Sequence, residues 1–281
     1  MRAYRLAYDG TDYFGFQRQP NVPTVEDKVF DALRNLDVLA TDARKPAGYA
    51  AAGRTDAGVS ALAQTIAFEA PDWLSPRAFN SALSADIRAW ASAEAPADFH
   101  ATHHATRRTY SYHLYAPRDR DSPPSAVAGA RPVDDDRVHA ALEALSGTHD
   151  VANLTPDDEG TRRTLTLEAE RDGSFLEITV SAPGFARELV RRLVALVHAV
   201  ATGAEPLAKI DRVLDPEPLP GHEGIAPAPP EPLVLTDVTY PVLTFERDTE
   251  AARRTHEIFE RLRLERTTGA RVAKQLCQGL E

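Results

Sequence analysis

The chain has 281 residues, of which 43% are hydrophobic and 26% are charged, with a formal net charge of −10. That length allows two modest hydrophobic cores, and no apolar run approaches the ~20 residues of a membrane helix, so we expect a cytoplasmic protein with no membrane partner. The acidic balance taken alone argues against nucleic acid, and the single cysteine, Cys277, excludes an intramolecular disulfide.

The first part of the chain is predicted to form an N-terminal α+β half at residues 1–105. Alternating apolar and polar side chains predict three strands, at 2–8, 62–69 and 87–93. Thr24 and Ser75 each precede a helical pattern and are typical N-cap residues. The first of these helices is expected to bury one apolar face, formed by Val25, Val29, Leu33 and Leu36.

A second α+β half is predicted at residues 106–245. Four further strands are expected, at 107–116, 164–170, 175–181 and 233–240, with the middle two joined as a hairpin. Helices are expected after Asp134 and over 186–202, the latter with the strongest apolar face in the chain. Because strands and helices are mixed rather than strictly alternating, the pattern favours an α+β fold over a doubly wound one.

Two segments stand apart from these halves. Residues 215–232 contain seven of the 21 prolines, so a surface loop is predicted there, since proline lacks a backbone donor. Residues 246–281 form a charged tail, and a helix is expected over 250–280.

A short loop carries the most informative residues, Gly53-Arg54-Thr55-Asp56-Ala57-Gly58-Val59, directly before a predicted strand. Taken alone, this pattern is typical of a tight turn in which Asp56 bonds its own backbone and the glycines adopt positive φ. Its interpretation changes because four other patterns accompany it in order. These are the opening segment from Tyr8 to Gln19, Asp98-Phe99-His100-Ala101, Arg108-Thr109-Tyr110-Ser111-Tyr112, and Phe185 to Val194.

With these five patterns, residues 3–241 resemble the tRNA pseudouridine synthase A family. The resemblance implies two α+β halves whose mainly antiparallel sheets join around a central, basic, RNA-binding cleft, and a homodimer. It assigns the catalytic aspartate to Asp56 and the neighbouring arginine of the motif to Arg54. It also assigns the arginine that pairs with the aspartate to Arg191 and the base-contacting tyrosine to Tyr110. The implied substrate is tRNA, modified at positions thirty-eight to forty of the anticodon stem-loop.

These residue types also suit the reaction chemically. Conversion of uridine to pseudouridine breaks the N1–C1′ bond, turns the uracil and joins C5 to C1′ without a change of oxidation state, so we expect no cofactor and no metal. A carboxylate can attack either C1′ or C6, and both routes stay open. Arg54 or Arg191 can keep that carboxylate ionised. Arg54 can also occupy the space left by a flipped base, and Tyr110 offers a flat face and a hydroxyl.

Structural roles remain open for several of these residues. Tyr110 can be a core aromatic on a strand, and Arg191 can belong to the polar face of a helix. A solvated surface position is the default for Arg18, Arg107, Arg108, Arg162 and Arg163. Ordinary or RNA-contacting roles, rather than metal binding, are expected for His100, His103 and His104.

Composition and two substitutions qualify the resemblance. Lysine occurs at only four positions, so arginine supplies 28 (32 minus 4) of the basic residues against 42 acidic ones. Such a balance resembles proteins from salt-adapted, haloarchaeal-like organisms. In the matched patterns, Ser60 replaces a common histidine and Phe16 a common tryptophan.

Two other functions remain open from the sequence alone. An RNA-binding or chaperone protein would use the arginines and tyrosines without Asp56. A hydrolytic N-glycosylase would use a carboxylate but release the free base.

Overall fold

One mixed sheet of ten strands runs through the described residues, 1–118 and 131–280, of the computed structural model. Its strands are β1 (Arg2–Tyr8), β2 (Ala50–Ala51), β3 (Ser60–Phe68), β4 (Ile87–Glu94), β5 (Arg107–Tyr115), β6 (Gly147–Asp150), β7 (Arg162–Asp172), β8 (Phe175–Ala182), β9 (Leu233–Thr239) and β10 (Glu246–Arg247). The helices are α1 (Val25–Asn35), α2 (Pro76–Asn80), α3 (Asp135–Leu145), α4 (Leu189–Ala201), α5 (Ala208–Leu214) and α6 (Thr249–Gln278).

The strand order joins the two predicted halves into one sheet. It runs β10-β4-β1-β3-β9-β5-β8-β7-β6, with β2 paired to β3. Described pairs are antiparallel except β3 and β9, which pair in parallel through Ser60–Val234 and Ala61–Leu235. The prediction of a mainly antiparallel α+β fold is therefore confirmed. The chain returns as β9 between the two halves, so the start of β3 lies at their junction.

Local sequence signals explain why several helices begin where they do. The Thr24 hydroxyl accepts a hydrogen bond from the Asp27 backbone N–H, and Ser75 caps α2 in the same way. Asp134 accepts bonds from two backbone N–H groups at the start of α3. Each cap satisfies donors that have no partner inside the helix, and all three predicted starts are confirmed.

The strongest predicted helix begins later than expected. We predicted a start at residue 186, but α4 begins at Leu189 because Glu188 has φ of 60°, in the left-handed region. A left-handed residue cannot continue an α-helix, so residues 185–188 form an irregular segment instead. From Leu189 onward the helix is regular and buries Leu193, Leu196 and Val197 completely.

Short elements were missed by the sequence analysis, namely β2, β6, α5 and β10, which have two to seven residues each. The proline-rich loop, 215–232, contains one 3₁₀ turn at Gly221–Glu223 and is otherwise irregular, as expected. The Asn153 side chain holds its first part, donating to the Asp215 carbonyl and accepting from the Leu219 N–H.

The C-terminal tail is helical, as predicted. α6 begins at Thr249, and Asp248 caps it. Residues 119–130 of the predicted second half and residue 281 of the predicted tail lie outside the described residues. Within residues 1–118 and 131–280, no helix combines the length and apolar character needed to cross a membrane.

Candidate active-site cleft

A cleft of about 1100 Å³ opens at the junction of the two halves. Its described lining comes from the segment after β1, from the Asp56 loop, from β5 and from the segment that leads into α4. The four residues proposed from sequence, Asp56, Arg54, Arg191 and Tyr110, all lie in this lining. Residues up to 137 positions apart in the chain therefore meet in one place.

Backbone hydrogen bonds fix the Asp56 loop against the segment after β1. The Phe16 N–H donates to the Thr55 carbonyl at 3.1 Å, and the Gly58 N–H donates to the Tyr13 carbonyl at 3.1 Å. The Thr55 hydroxyl is 2.8 Å from the buried Tyr8 hydroxyl. The opening pattern and the Asp56 loop, which are separate in sequence, are therefore one packed unit.

Two glycines of the opening pattern are required by this close approach. A Cβ atom on Gly10 would lie 2.0 Å from the Val59 carbonyl oxygen. Gly15 has φ of +93°, and its Cβ would lie 2.8 Å from the Thr55 carbonyl oxygen. Any side chain at either position would displace the Asp56 loop.

Arg108 links the loop to the opposite wall of the cleft, and it corrects an expectation. We assigned it by default to a solvated surface, yet it is buried, and its guanidinium donates to three carbonyls. The acceptors are Ala52 at 2.6 Å, Thr102 at 2.7 Å and Pro183 at 2.5 Å. These carbonyls satisfy a charge that burial would otherwise penalise, so Arg108 is structural.

Asp56 is paired across the cleft with Arg191. The Asp56 Oδ2 atom lies 3.4 Å from Arg191 Nη1. Arg191 is itself held in place, because its Nε donates to the Ala228 carbonyl at 2.6 Å and its own carbonyl accepts from the Ala228 N–H. The Asp56 side chain keeps 35% of its surface exposed, so a ligand in the cleft can reach the carboxylate.

The surroundings of Asp56 have opposing effects on its pKa. Burial raises the pKa of Asp56 above its ordinary value, and the nearby Glu188 adds to that rise. The Arg191 guanidinium opposes both and lowers the pKa, but burial is the largest effect. A carboxylate that is poorly hydrated and held by one long ion pair is a better nucleophile than a fully solvated one.

Arg54, unlike Arg191, is not paired with Asp56. It is exposed, and within residues 1–118 and 131–280 its side chain makes no hydrogen bond or ion pair. Of the two arginines proposed to keep Asp56 ionised, only Arg191 is in position in this structure. Arg54 is instead an unpaired cation at the mouth of the cleft.

Tyr110 lies in the wall of the cleft on β5. It is 8% exposed and packs edge-to-face on Phe185, with ring centroids 5.2 Å apart. Burial and the Asp56 charge raise the pKa of Tyr110, so the phenol stays protonated. Its hydroxyl makes no hydrogen bond within the part of the chain that the structure describes. It is therefore a free donor next to the carboxylate.

Three further residues of the lining were not predicted from the sequence. Phe14 is 53% exposed, although its backbone is fixed by bonds to Pro23 and to the Gln19 side chain. The signal available in the sequence was the presence of this aromatic residue within a matched motif. No such signal marked Arg187, which pairs with Asp157 at 2.5 Å, or Glu188. The left-handed conformation at residue 188 is not visible in the sequence.

The expected basic character of the cleft is not found in its lining. Among the described lining residues, Arg54, Arg187 and Arg191 are opposed by Glu26, Asp56, Asp157 and Glu188. That expectation was wrong, because each cation except Arg54 has an acidic partner within the cleft. Cations elsewhere on the molecule must contribute if a polyanion is bound.

The three histidines gather beside the cleft without forming a metal site. The rings of His100 and His103 lie 4.2 Å apart, and His104 stacks on Phe99. Burial and the neighbouring histidines lower the pKa of His100. In the described residues, no group of three or more histidine, cysteine or acidic side chains is arranged to hold a metal ion.

Comparisons with known proteins identify similar chains. Residues 141–241 match the family model described as tRNA pseudouridine synthase. Proteins named tRNA pseudouridine synthase A are 56% identical in Haloarcula marismortui, over 100% of both chains, and 55% identical in Natronomonas pharaonis, over 98% of both. One from Methanosarcina acetivorans is 38% identical over 85% of this chain and 84% of its own. A solved archaeal box H/ACA sRNP Nop10-Cbf5 complex matches with a TM-score of 0.33 and 15% identity, over 69% of this chain and 45% of that one.

Proposed function

Since the chain belongs to the tRNA pseudouridine synthase A family, we propose that it isomerises uridine to pseudouridine in tRNA with Asp56 as the nucleophile. The proposed target is the anticodon stem-loop, at positions thirty-eight to forty. The observation that carries the proposal is the Asp56–Arg191 pair, which places an accessible carboxylate beside a fixed cation inside the cleft.

The reaction requires a covalent intermediate and a proton relocation. Asp56 bonds to C1′ or C6, and the N1–C1′ bond breaks. After the uracil turns, C5 bonds to C1′ and the bond to Asp56 breaks, which releases the carboxylate. C5 then loses a proton and N1 gains one, so atoms and charge balance without an added reactant. Arg191 stabilises the carboxylate before attack and when it is released.

Tyr110 is proposed to contact the base. Because its pKa is raised, the phenol acts at neutral pH as a hydrogen-bond donor and not as a general base. Its position beside Asp56 lets it hold the uracil while the base turns. The edge-to-face contact with Phe185 keeps the ring in place and supports this role.

Arg54 and Phe14 are proposed to hold the RNA around the flipped nucleotide. Arg54 has no protein partner, so it is free to occupy the vacated stack or to bind a phosphate. Phe14 offers an exposed ring on which a neighbouring base can stack. Neither side chain has to break a hydrogen bond or an ion pair within the protein to do so.

Product analysis tests this function against the two alternatives. Unmodified tRNA is incubated with the full chain, and both nucleosides and free bases are quantified. The synthase yields pseudouridine in intact RNA. Free uracil would indicate a glycosylase, and bound but unchanged RNA would indicate a chaperone.

A homodimer is also proposed, on the family resemblance alone. Light scattering at micromolar protein and at the working salt concentration should give about twice the monomer mass of 30.7 kDa. A monomer mass under those conditions would exclude it.

A further inference from the structure

The distal part of α6 leaves the body of the protein. Every residue from Arg263 to Leu280 is exposed. We call residues 267–280 the α6 arm. Because these residues are exposed, the surface of the arm is open to a binding partner.

The charges of the arm differ from those of the rest of α6. In the proximal part, Arg253 pairs with Glu250 at 2.8 Å and Arg263 with Glu260 at 2.6 Å. The arm contains Arg271 and Lys274 and no acidic residue. Neither cation has an ion-pair partner in the described part of the chain. In a chain of net charge −10, this is an exposed basic segment.

The arm also begins close to the segment that packs on the Asp56 loop. α6 starts beside Trp90 in β4, whose carbonyl accepts from Asp248, and runs back along that strand. At Arg266 it pairs with Asp9 at 2.6 Å, one residue after β1. Gly10 packs directly against Val59 at the end of the Asp56 loop. From Arg266 to Gln278 the helix extends a further ~18 Å, at ~1.5 Å per residue.

We propose that the α6 arm binds the phosphate backbone of tRNA outside the anticodon stem-loop. This inference rests on the proposed function for its ligand. Arg271, Lys274 and Gln278 are spaced i, i+3 and i+7, so they share one helix face that offers hydrogen-bond donors to phosphate. Arm residues are absent from the described lining of the cleft, so their contacts lie beyond the nucleotide that reacts.

Charge complementarity favours RNA over another occupant. The lining of the cleft has no cationic excess, so part of the affinity for a polyanion must come from outside it. The arm has unpaired cations and continues directly from Arg266, which pairs with Asp9 beside the segment that packs on the Asp56 loop. The arm also carries exposed apolar side chains, Val272, Leu276 and Leu280, which could instead pack on a second copy of the chain. The experiment below separates RNA from a second copy as the occupant.

The test compares two double variants of the full chain. Arg271→Gln with Lys274→Gln removes the arm cations. Arg77→Gln with Arg261→Gln removes two exposed arginines that also lack ion pairs but lie outside the arm. Each protein is assayed for KM, kcat and Kd on full-length unmodified tRNA and on the anticodon stem-loop alone. The mass of each protein is measured by light scattering.

The arm variant should raise KM and Kd for full-length tRNA about tenfold, with kcat unchanged. The slope of its log Kd against log salt concentration should become shallower by about two. Its KM and Kd for the anticodon stem-loop alone should not change. The control variant should behave as wild type. The same Kd and salt slope in both variants would overturn the proposal, as would a change of mass without a change in Kd. Because Kd needs no turnover, the arm is tested even if no pseudouridine forms.

Discussion

The two walls of the cleft are held in place by different interactions. The Asp56 loop is fixed by backbone hydrogen bonds and by two glycines that allow close approach. The opposite wall, residues 185–192, is held by buried apolar side chains such as Leu189 and Val190 and also by ion pairs, including the Arg192–Glu188 pair at 2.6 Å. The nucleophile is therefore on the rigid wall. The cation that stabilises it lies on a wall that depends in part on side-chain ion pairs, which salt, pH and substitution can perturb.

Removing the negative charge of the Asp56 loop should have the largest effect on activity. Asp56→Asn keeps the shape of the side chain but removes the anion. Pseudouridine formation should fall by at least ~10⁴, or ~5.5 kcal/mol of transition-state stabilisation. Folding should survive, because burial disfavours the charged form that the variant eliminates.

Three measurements check this prediction: kcat, Kd for tRNA and the melting temperature. Asp12→Asn is the matched control, since Asp12 is exposed and in the opening pattern but outside the described cleft lining. A large loss of tRNA affinity in Asp56→Asn, rather than of kcat, would show that the residue holds the loop and not the intermediate.

Removing the Arg191 cation from the opposite wall should have a smaller effect on activity and should change its pH dependence. Arg191→Gln should lower kcat by roughly 10². The carboxylate must be ionised to attack, so activity falls as pH drops through the pKa of Asp56. Since Arg191 lowers that pKa, its removal should shift the acid limb of the kcat/KM profile to higher pH.

Arg212→Gln is the control for this comparison, because Arg212 pairs with Glu217 and Glu223, which lie outside the described lining of the cleft. Its acid limb should stay where the wild-type limb lies. An unshifted limb in Arg191→Gln would mean that the ion pair does not control the ionisation of Asp56.

Tyr110→Phe removes one hydroxyl and leaves the ring in place. We expect kcat to fall by about 10–10² with unchanged stability, since that hydroxyl has no partner among the described residues. Tyr49→Phe makes the same change at a tyrosine outside the described lining, whose buried hydroxyl also has no partner among the described residues, and it should retain activity. Equal activity in the two variants would leave Tyr110 with a packing role only.

Arg54→Ala should have the smallest effect on the chemistry. The exposed side chain makes no hydrogen bond or ion pair among the described residues, so the melting temperature should not change. KM for tRNA should rise about tenfold if it binds a phosphate or fills the vacated stack. Arg44→Ala, another exposed arginine outside the described lining, serves as the control. A wild-type KM for Arg54→Ala would remove this residue from substrate binding.

Local signals in the sequence predicted much of the fold. The caps at Thr24 and Asp134 and the hairpin between β7 and β8 depend on residues close in the chain. By contrast, β6 and α5 are too short for a periodic pattern to develop. The start of α4 was misplaced because the left-handed conformation of Glu188 depends on its tertiary surroundings.

Less of the site could be predicted from short-range patterns in the sequence. Asp56 and Arg191 are 135 positions apart, so their pairing was expected only through the family resemblance. Arg108 was misassigned because its three acceptor carbonyls come from segments that are distant in sequence. The pattern of residue types gave no sign that the lining of the cleft is balanced in charge.

Mapping of pseudouridine at single-nucleotide resolution tests most directly whether this chain forms pseudouridine with Asp56. Wild type and Asp56→Asn are incubated in parallel with the same unmodified tRNA. We predict pseudouridine within positions thirty-eight to forty for the wild type and none for the variant. A folded Asp56→Asn protein that modifies the same positions at the wild-type rate would contradict the account.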